Sequence, residues 1–386
     1  MKNFYYHIPT EVFFGKGQIE NLAPKIGDYS KKVLLVYGGG SIKRTGLYEK
    51  VIEKLVSHGI AVFELGGVEP NPRIDTVRRG VKLCKSHEIG AVLSVGGGST
   101  TDCAKLVAAG ALYDGDPWEL VLDNGKIKEA LPIFTVVTIA ATGSEMDRLA
   151  VISNMDTNEK LAVFSPYFHP KVSILDPEYT YTVPKIQTAA GTADIMSHVI
   201  ERYFNPYEGA YLQNRIGDGL LKTCIHFGPI ACEEPNNYDA RANLLWTSTL
   251  AIDGVTWRGN EVGSSAHPME HELSAYYDIT HGIGLAILIP HWMRYILSEQ
   301  TKPRFVEYAV NVWGVDSALP DDEIAKAGIE RTHAFFESLG IPMRLSDLDI
   351  DETHFDEMAE KAEKRTKFSY VPLSKEDVKS IFKAAL

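Results

Sequence analysis

The side chains most able to bind a metal ion lie in the stretch HPMEHELSAYYDITHG, residues 267–282. His267 and His271 are four positions apart, and His281 follows where the helical pattern ends. Residues four apart on an α-helix lie over the same face, one turn from each other. A single pair of this kind is usually only a local hydrogen bond, so a metal site needs further ligands elsewhere in the chain.

A second pair with the same spacing occurs in GTADIMSHVIERYF, where Asp194 and His198 are four positions apart. The two stretches place five metal-capable side chains on apolar helices. Burying so many ionisable groups without partners would cost several kcal/mol each, so a divalent cation bound by four of them is the more stable arrangement. The spacing leaves open which histidine is not a ligand. We expect Glu270 and Glu272, on other faces of the helix, to lie behind the ligands or on the surface.

The types of these side chains indicate which metal they would bind. The chain has four cysteines without Cys-x-x-Cys pairing, which argues against a thiolate zinc site and is typical of a reducing compartment; they are Cys84, Cys103, Cys224 and Cys232. One aspartate with three histidines suits Zn²⁺ or Fe²⁺ and leaves a coordination position for a substrate.

Two predicted strands are followed by the same four residues, Gly-Gly-Gly-Ser, at 38–41 and 96–99. Ligands of open α/β sheets bind at the carboxyl ends of the strands, where glycines let phosphate oxygens approach backbone N–H groups at a helix N-terminus. A third loop, TIAATGSEMD (138–147), adds hydroxyl groups at the same edge. Neither glycine loop matches GxGxxG, and a single loop of this kind is common after strands because tight turns favour glycine for steric reasons. Together they predict a dinucleotide site with the phosphates at the second loop.

Two residue positions bear on how a dinucleotide would bind. Asp102 lies in the first turn of the helix after the second glycine loop, where it is either a carboxylate stabilised by the helix dipole or a hydrogen-bond partner of the nicotinamide carboxamide. No carboxylate follows the first glycine loop, and Lys43 and Arg44 come next. The absence of an acid for the ribose 2′-hydroxyl favours NADP(H) over NAD(H), although such basic residues are most often plain solvated surface.

The elements that must position these residues change character near residue 184. Apolar runs rich in valine, isoleucine and leucine predict buried parallel strands at 31–37, 61–65, 91–95, 133–139 and 172–176, with helical crossovers at 44–58, 73–88 and 99–110. The aromatic run 3–14 predicts an edge strand or hairpin. Only helical patterns come later: the segment TVPKIQTAAGTADIMSHVIERYF (182–204) runs from Pro184 into a long helical pattern, and similar patterns follow near 209–227, 238–253, 267–277, 284–298, 303–313, 321–339, 351–364 and 374–384.

The predicted architecture is therefore α/β followed by all-α. A doubly wound, Rossmann-like dinucleotide-binding domain occupies 1–184, an all-helical metal-binding domain occupies 185–386, and a cleft lies between them. A length of 386 residues agrees with two domains, and 45% apolar with 23% charged residues is typical of globular proteins.

Charge and hydropathy exclude two kinds of partner. A net charge of −12 without a lysine- or arginine-rich run argues against nucleic acid. No uncharged apolar run approaches the roughly 20 residues that a bilayer requires, so we expect no membrane segment and a cytoplasmic location.

Four motifs, GGGSTTDCAK, TGSEMD, GTADIMSH and HPMEHELSAYYDITHG, together resemble those of the iron-containing (group III) alcohol dehydrogenases. YGGGSIKRTG, GVEPNPR and ATGSEMD are most similar to the NADP(H)-dependent butanol dehydrogenase and aldehyde reductase branch. The resemblance covers nearly the whole chain and fades after about residue 340. It implies a dehydroquinate synthase-like fold and a homodimer formed partly by N-terminal strands.

The resemblance also implies roles for individual residues. The metal ligands would be Asp194, His198, His267 and His281, which leaves His271 near the substrate. Many family members carry an acid where this chain has Gly39, and that acid accompanies NAD, so Gly39 supports NADP(H). The metal in relatives is iron or zinc. The implied cofactor contacts are Gly38, Gly39, Ser41, Gly97, Gly98, Ser99, Asp102, Thr138, Thr142 and Lys160.

The implied reaction is hydride transfer between the nicotinamide and a short-chain primary alcohol or aldehyde, such as butanol or butanal. His271 would relay a proton or donate a hydrogen bond, Asp102 is the second residue predicted to act in catalysis, and Trp257 would line the pocket. A metal- and NAD-dependent lyase of the dehydroquinate synthase type would need more basic residues near the metal than Arg202 and Arg258. A non-catalytic cofactor-binding module is a third interpretation.

Overall fold

The computed structural model describes residues 1–207 and 209–386. Its strands form a six-stranded sheet and a two-stranded hairpin. The strands are β1 (Glu11–Phe14), β2 (Lys32–Tyr37), β3 (Ala61–Leu65), β4 (Ala91–Gly96), β5 (Ile133–Val137), β6 (Leu149–Asn154), β7 (Glu159–Phe164) and β8 (Val172–Leu175).

Helices alternate with the strands in the first half of the chain and account for nearly all regular structure in the second half. They are α1 (Leu22–Gly27), α2 (Ser41–Arg44), α3 (Leu47–Ser57), α4 (Ile74–His87), α5 (Gly98–Gly110), α6 (Trp118–Leu122), α7 (Lys185–Tyr203), α8 (Tyr211–Glu233), α9 (Tyr238–Ile252), α10 (Ala266–Tyr277), α11 (His281–Ile296), α12 (Lys302–Trp313), α13 (Asp321–Ser338), α14 (Phe355–Thr366) and α15 (Lys375–Ala384). The predicted fold class is confirmed.

The six-stranded sheet is parallel throughout, with the order β1-β8-β5-β4-β2-β3. The chain runs outward from β2 to β3 and then returns to β4 on the other side of β2. Strand order therefore reverses between β2 and β4, and ligands of open α/β sheets bind outside the carboxyl ends of the strands at such a reversal. The two Gly-Gly-Gly-Ser loops follow these two strands.

Hydrophobic cores cover both faces of this sheet. Leu34 and Val36 pack with side chains from α4 and α5, whereas Val33 and Leu35 pack with side chains from α1 and α3. Since successive residues of a strand point to opposite faces, a strand buried on both sides is apolar at every position. This explains why the central strands show no polar alternation in the sequence.

The antiparallel hairpin β6–β7 was not predicted from the sequence. Its turn contains Asn158, which has φ 48°, a left-handed conformation that asparagine tolerates better than most residues. The hairpin bonds to the loop before α4, where the backbone N–H of Ser153 donates to the carbonyl of Pro72 at 2.8 Å. It therefore extends the α/β unit beyond the main sheet.

Two compact units account for the described chain. The α/β unit contains 7–183 and 236–245, and the helical unit contains 1–6, 184–235 and 246–386. The division into 1–184 and 185–386 stays a prediction. Among the described residues, we find no helix with the length and apolar character that crossing a bilayer requires.

Candidate metal centre and dinucleotide site

Three helices of the helical unit carry the predicted metal ligands. Asp194 and His198 lie one turn apart on α7, and His267 lies in the first turn of α10. Helix α10 ends at Tyr277 and is followed by Asp278 in a left-handed conformation. Helix α11 begins at His281, three residues before the predicted start near 284. The earlier start arises because the carbonyl of Thr280 accepts hydrogen bonds from the first turn of α11.

Gly282 allows α11 to approach α7 closely enough to bring these ligands together. A Cβ atom at this position would lie 2.0 Å from the carbonyl oxygen of Ala190 on α7. Any larger residue would push the two helices apart and move His281 away from Asp194. The glycine beside the last histidine is thus required by packing.

The four predicted ligands lie together in the structure. Oδ1 of Asp194 is 3.8 Å from Nε2 of His198 and 3.7 Å from Nε2 of His281. Asp194, His267 and His281 each offer a ligand atom within 4.8 Å of the others. These separations are too long for good hydrogen bonds, but ligand atoms about 2 Å from one tetrahedral ion are about 3.4 Å apart. The arrangement therefore suits a shared cation better than direct bonding.

Buried carboxylates set the orientation of two of the histidines. Nδ1 of His267 bonds to Glu201, and Nδ1 of His281 bonds to Glu270. An N–H held in this way fixes the ring so that Nε2 remains available for a metal. Nε2 of His267 is buried and has no hydrogen-bond partner among the residues that the structure describes, and a bound cation would satisfy it.

Glu201 also fixes the start of helix α10. Its carboxylate accepts hydrogen bonds from the backbone N–H groups of Ser265 and Ala266, both at 2.6 Å. Burial raises the pKa of this carboxyl group, but its pairing with His267 outweighs burial and lowers the pKa overall. One ionised side chain on α7 therefore positions both the helix and the imidazole. Sequence reasoning missed Glu201, although it lies seven residues after Asp194 on the same helix face.

The pKa values of two imidazoles shift in opposite directions, and that of His198 favours a ligand role. Burial, and to a smaller extent the neighbouring His267 and His281, lowers the pKa of His198 well below its usual range. His198 is therefore neutral at pH 7, which is the form that binds metals. Burial also lowers the pKa of His267, but Glu201 outweighs this effect and raises it overall.

The remaining side chains of the HPMEHELS stretch occupy distinct positions. His271 is buried one turn after His267, and together with Glu270 and His281 it forms a second group of possible ligand atoms within 4.8 Å. The structure thus brings all five metal-capable residues together, and the role of His271 stays a prediction. Glu272 is fully buried and bonded to Arg365 of α14, so it is not a surface group.

The α/β unit places the glycine loops at one sheet edge. Tyr37 at the end of β2 lies beside Val95 of β4, so the two loops emerge side by side. A Cβ atom at Gly97 would lie 2.5 Å from Ile139, and one at Gly98 would lie 2.3 Å from Thr142. Glycine is needed at both positions because the third loop packs directly on the second.

The first loop is less constrained. A Cβ atom at Gly39 would meet nothing within 4 Å, and Gly39 is exposed. The backbone is therefore open to a ligand or to a side chain at this position. Ser41, at the start of α2, is exposed as well, whereas the hydroxyl of Ser99 in the second loop donates to the carbonyl of Pro70.

Asp102 is buried in a hydrogen-bond network of the protein itself. Its carboxylate accepts from the hydroxyl of Ser144 at 2.6 Å and from the backbone N–H of Val151 at 2.8 Å. Burial raises its pKa to about 6, although Lys105 and the hydrogen bonds oppose the rise. Both carboxylate oxygens thus have partners within the protein, and through Ser144 the side chain helps to position the third loop. The bond from Asp102 to a nicotinamide stays a prediction.

Lys105 anchors the third loop and was missed by sequence reasoning. It is fully buried, and its ammonium donates to Asp147 at 2.5 Å, Ser144 at 2.9 Å and the carbonyl of Leu149 at 2.7 Å. A buried charge is stable only with such partners. Its position three residues after Asp102 on the same helix was the signal that could have revealed it.

Three further predicted residues lie at different places. Thr138 donates its backbone N–H to the carbonyl of Gly96 at 2.9 Å, which joins the third loop to the second. Lys160 is buried on β7 opposite Ser153. The ring of Trp257, in the helical unit, contacts the guanidinium groups of Arg202 and Arg258, whose carbons lie 5.4 Å and 4.4 Å from the ring centroid. Both cations therefore already have a partner in the protein.

Comparison with known proteins gives a consistent result along the whole chain. Residues 9–177 match the family described as iron-containing alcohol dehydrogenase, and residues 188–386 match the C-terminal part of the Fe-containing alcohol dehydrogenase family. The chain is 53% identical over 386 residues to NADH-dependent butanol dehydrogenase A of Clostridium acetobutylicum, covering 99% of each chain.

Two further proteins show the range of the similarity. The chain is 40% identical to the NADPH-dependent aldehyde reductase YqhD of Escherichia coli over 367 residues, 94% of this chain and 93% of that one. The crystal structure of an NADH-dependent butanol dehydrogenase A from Thermotoga maritima superposes with a TM-score of 0.94 at 40% identity, covering 100% of this chain and 99% of that one.

We predict that Glu270→Gln weakens metal binding without unfolding the protein. The change removes the charge that orients His281, and loss of such a partner typically lowers metal affinity by about 10- to 100-fold. Competition with a chelator measures the affinity for Zn²⁺ and Fe²⁺, and thermal melting of the metal-free protein checks the fold.

The matched control is Glu307→Gln in the same unit, because Glu307 bonds to Arg215 and Arg304 rather than to a histidine. An unchanged metal affinity in Glu270→Gln, or an equal loss in the control, would contradict the role of Glu270.

Proposed function

Because the chain belongs to the iron-containing alcohol dehydrogenase family, we propose that it interconverts short-chain primary alcohols and aldehydes, such as butanol and butanal. Membership in this family makes the protein an oxidoreductase that acts on CH–OH groups with a nicotinamide cofactor and a divalent metal. The observation that carries the proposal is that Asp194, His267 and His281 offer ligand atoms within 4.8 Å of one another and that His198 lies 3.8 Å from Asp194. Carboxylates orient two of these histidines.

The proposed metal ligands are Asp194 and the Nε2 atoms of His198, His267 and His281. A bound Fe²⁺ or Zn²⁺ supplies a Lewis acid that favours loss of the alcohol proton or polarises the aldehyde carbonyl. Glu201 and Glu270 keep two imidazoles in the tautomer that binds metal, and burial keeps His198 neutral. These side chains thus prepare the site before any ion binds.

His271 is the proposed partner of the substrate oxygen. It is buried beside the ligand cluster, with its ring centroid 5.6 Å from that of His281. An imidazole can take up the alcohol proton at one nitrogen and hold a second hydrogen bond at the other. In the direction of aldehyde reduction the same side chain returns the proton.

The proposed dinucleotide site is the edge of the sheet in the α/β unit. Adenosine would lie on the first loop, the diphosphate at the N-terminus of α5, and the remaining contacts along the third loop and β7. Helix α5 has thirteen residues, so its dipole favours the phosphates. The proposed contacts are Gly38, Gly39, Ser41, Gly97, Gly98, Ser99, Asp102, Thr138, Thr142 and Lys160.

We propose NADP(H) as the preferred cofactor because Gly39 leaves the first loop open where an acid would exclude a 2′-phosphate. Two observations oppose a strong preference. A similar protein is named NADH-dependent, and Lys43, which the sequence offered to the phosphate, lies 3.6 Å from Glu64. A homodimer is likewise proposed from the family resemblance alone.

We predict that the purified protein reduces butanal with NADPH or NADH and loses this activity when its metal is removed. His267→Ala should lower kcat/KM by at least about 100-fold, because the metal loses one of its ligands and is no longer held in place. His58→Ala, an exposed histidine in the α/β unit, is the control and should match the wild type.

Elemental analysis must accompany the rates. Full activity in protein shown to contain no metal would contradict the proposal, and so would dinucleotide binding without turnover across a series of C3 to C5 aldehydes.

A second prediction concerns the first glycine loop. Gly39→Asp should lower kcat/KM for NADPH by about tenfold or more relative to NADH, because like charges at close range are strongly unfavourable. The free space around Gly39 means that the variant should fold normally. An unchanged ratio of the two cofactors would show that the adenosine does not lie on this loop.

A further inference from the structure

Four side chains form a cluster around the first glycine loop, which we call the acid–tyrosine cluster: Tyr37, Lys43, Tyr48 and Glu64. Tyr37 is the last residue of β2, directly before Gly38, and Lys43 lies two residues after Ser41. Glu64 comes from β3, the neighbouring strand, where it lies beside Leu35 of β2. The cluster therefore flanks the loop that we propose for the adenosine.

The contacts restrain Lys43 and place an opposite charge beside it. Nζ of Lys43 is 3.6 Å from Oε2 of Glu64, and it lies 4.9 Å from the ring centroid of Tyr37 and 4.4 Å from that of Tyr48. The hydroxyls of Tyr37 and Tyr48 donate to Glu64 at 2.8 Å and 2.7 Å. Lys43 is thus restrained by one carboxylate and by cation–π contacts with two aromatic rings.

Glu64 is charged at neutral pH and remains accessible. Burial raises the pKa of Glu64, but the hydrogen bonds from Tyr48 and Tyr37 and the charge of Lys43 outweigh it and lower the pKa. The side chains of Lys43 and Glu64 are 45% and 39% exposed, so a dinucleotide could reach both.

The position of Glu64 matches a general feature of dinucleotide-binding folds. In these folds an acid about 20 residues beyond the glycine loop, on the next strand, accepts a hydrogen bond from the ribose 2′-hydroxyl. Glu64 lies 24 positions after Gly40, near the carboxyl end of β3, and β3 pairs with β2. No acid directly follows the glycines in the sequence, and Glu64 reaches the loop only because β3 pairs with β2.

We infer that Glu64 is a specificity-determining residue that lowers the use of NADP(H) relative to NAD(H). Glu64 pairs with Lys43, so that the lysine is not available to a 2′-phosphate, and its own negative charge would repel a phosphate bound there. This inference rests on the proposed function, because it requires the adenosine to lie on residues 38–41. The cofactor preference then depends on two opposing features: the open loop at Gly39 favours NADP(H), and the carboxylate of Glu64 favours NAD(H).

The test compares Glu64→Gln with the wild type. Glutamine keeps a carbonyl oxygen for the tyrosine hydroxyls but removes the charge, so we expect the ratio of kcat/KM for NADPH to that for NADH to rise by about tenfold. Lys43→Met should reduce the ratio more in the Glu64→Gln background than in the wild type, since only the released lysine can pair with a phosphate.

The control is Glu20→Gln, which breaks a comparable exposed ion pair between Glu20 and Lys54, 2.9 Å, in the same unit. Its ratio should equal that of the wild type. An equal rise in this control would show an effect of net charge alone and would overturn the inference.

Binding of adenosine 2′,5′-bisphosphate and of AMP, measured by calorimetry, separates this inference from the proposed function. We expect Glu64→Gln to bind the bisphosphate more tightly than the wild type, with AMP nearly unchanged. Binding of both nucleotides with no difference between the proteins would overturn the role of Glu64 alone. Failure of the wild type to bind either nucleotide or either cofactor would overturn the proposed dinucleotide site and, with it, the inference.

Discussion

The histidine cluster exists because buried carboxylates bond to the far nitrogens of its rings. Glu201 and Glu270 hold the Nδ1 atoms of His267 and His281, and Nε2 of His281 then lies 3.7 Å from Asp194. Glu201 also binds the first backbone N–H groups of α10, so the same charge that orients a ligand fixes the helix that carries it. Close contact at Gly282 completes the arrangement by bringing α11 against α7.

In the α/β unit, too, buried charged side chains fix the position of a loop at the proposed site. Lys105 is buried among Asp147, Ser144 and backbone carbonyls, while Asp102 accepts hydrogen bonds from Ser144 and from β6. This network fixes the third loop against the second, and that contact is why Gly97 and Gly98 cannot carry a side chain. A buried ion pair thus determines the shape of the edge at which a ligand of this fold would bind.

Local patterns were sufficient to predict the fold class and to select the ligand candidates. Helical spacing placed Asp194 with His198 and His267 with His271, and apolar runs predicted five of the six strands of the parallel sheet, β2 to β5 and β8. Contacts between distant segments could not be predicted in this way: Glu201 is 66 residues from His267, and Glu64 reaches Lys43 only because β3 pairs with β2. The β6–β7 hairpin was missed although its strands are as long as β2 and β4, because each strand carries two polar residues at the end next to the turn. The preference for NADP(H) was predicted from neighbours in sequence, whereas the acid beside Lys43 is a neighbour in space.

We propose that one cation is bound by Asp194, His198, His267 and His281, and that carboxylates orient two of these imidazoles before the ion binds. The most direct test of this proposal is a crystal structure of the metal-loaded protein with anomalous diffraction data at the iron and zinc absorption edges. We expect a single anomalous peak about 2 Å from an oxygen of Asp194 and from the Nε2 atoms of His198, His267 and His281. A peak bound through Nδ1 atoms, a peak at His271 and Glu270 without His198, or an ion located elsewhere in the chain would contradict it.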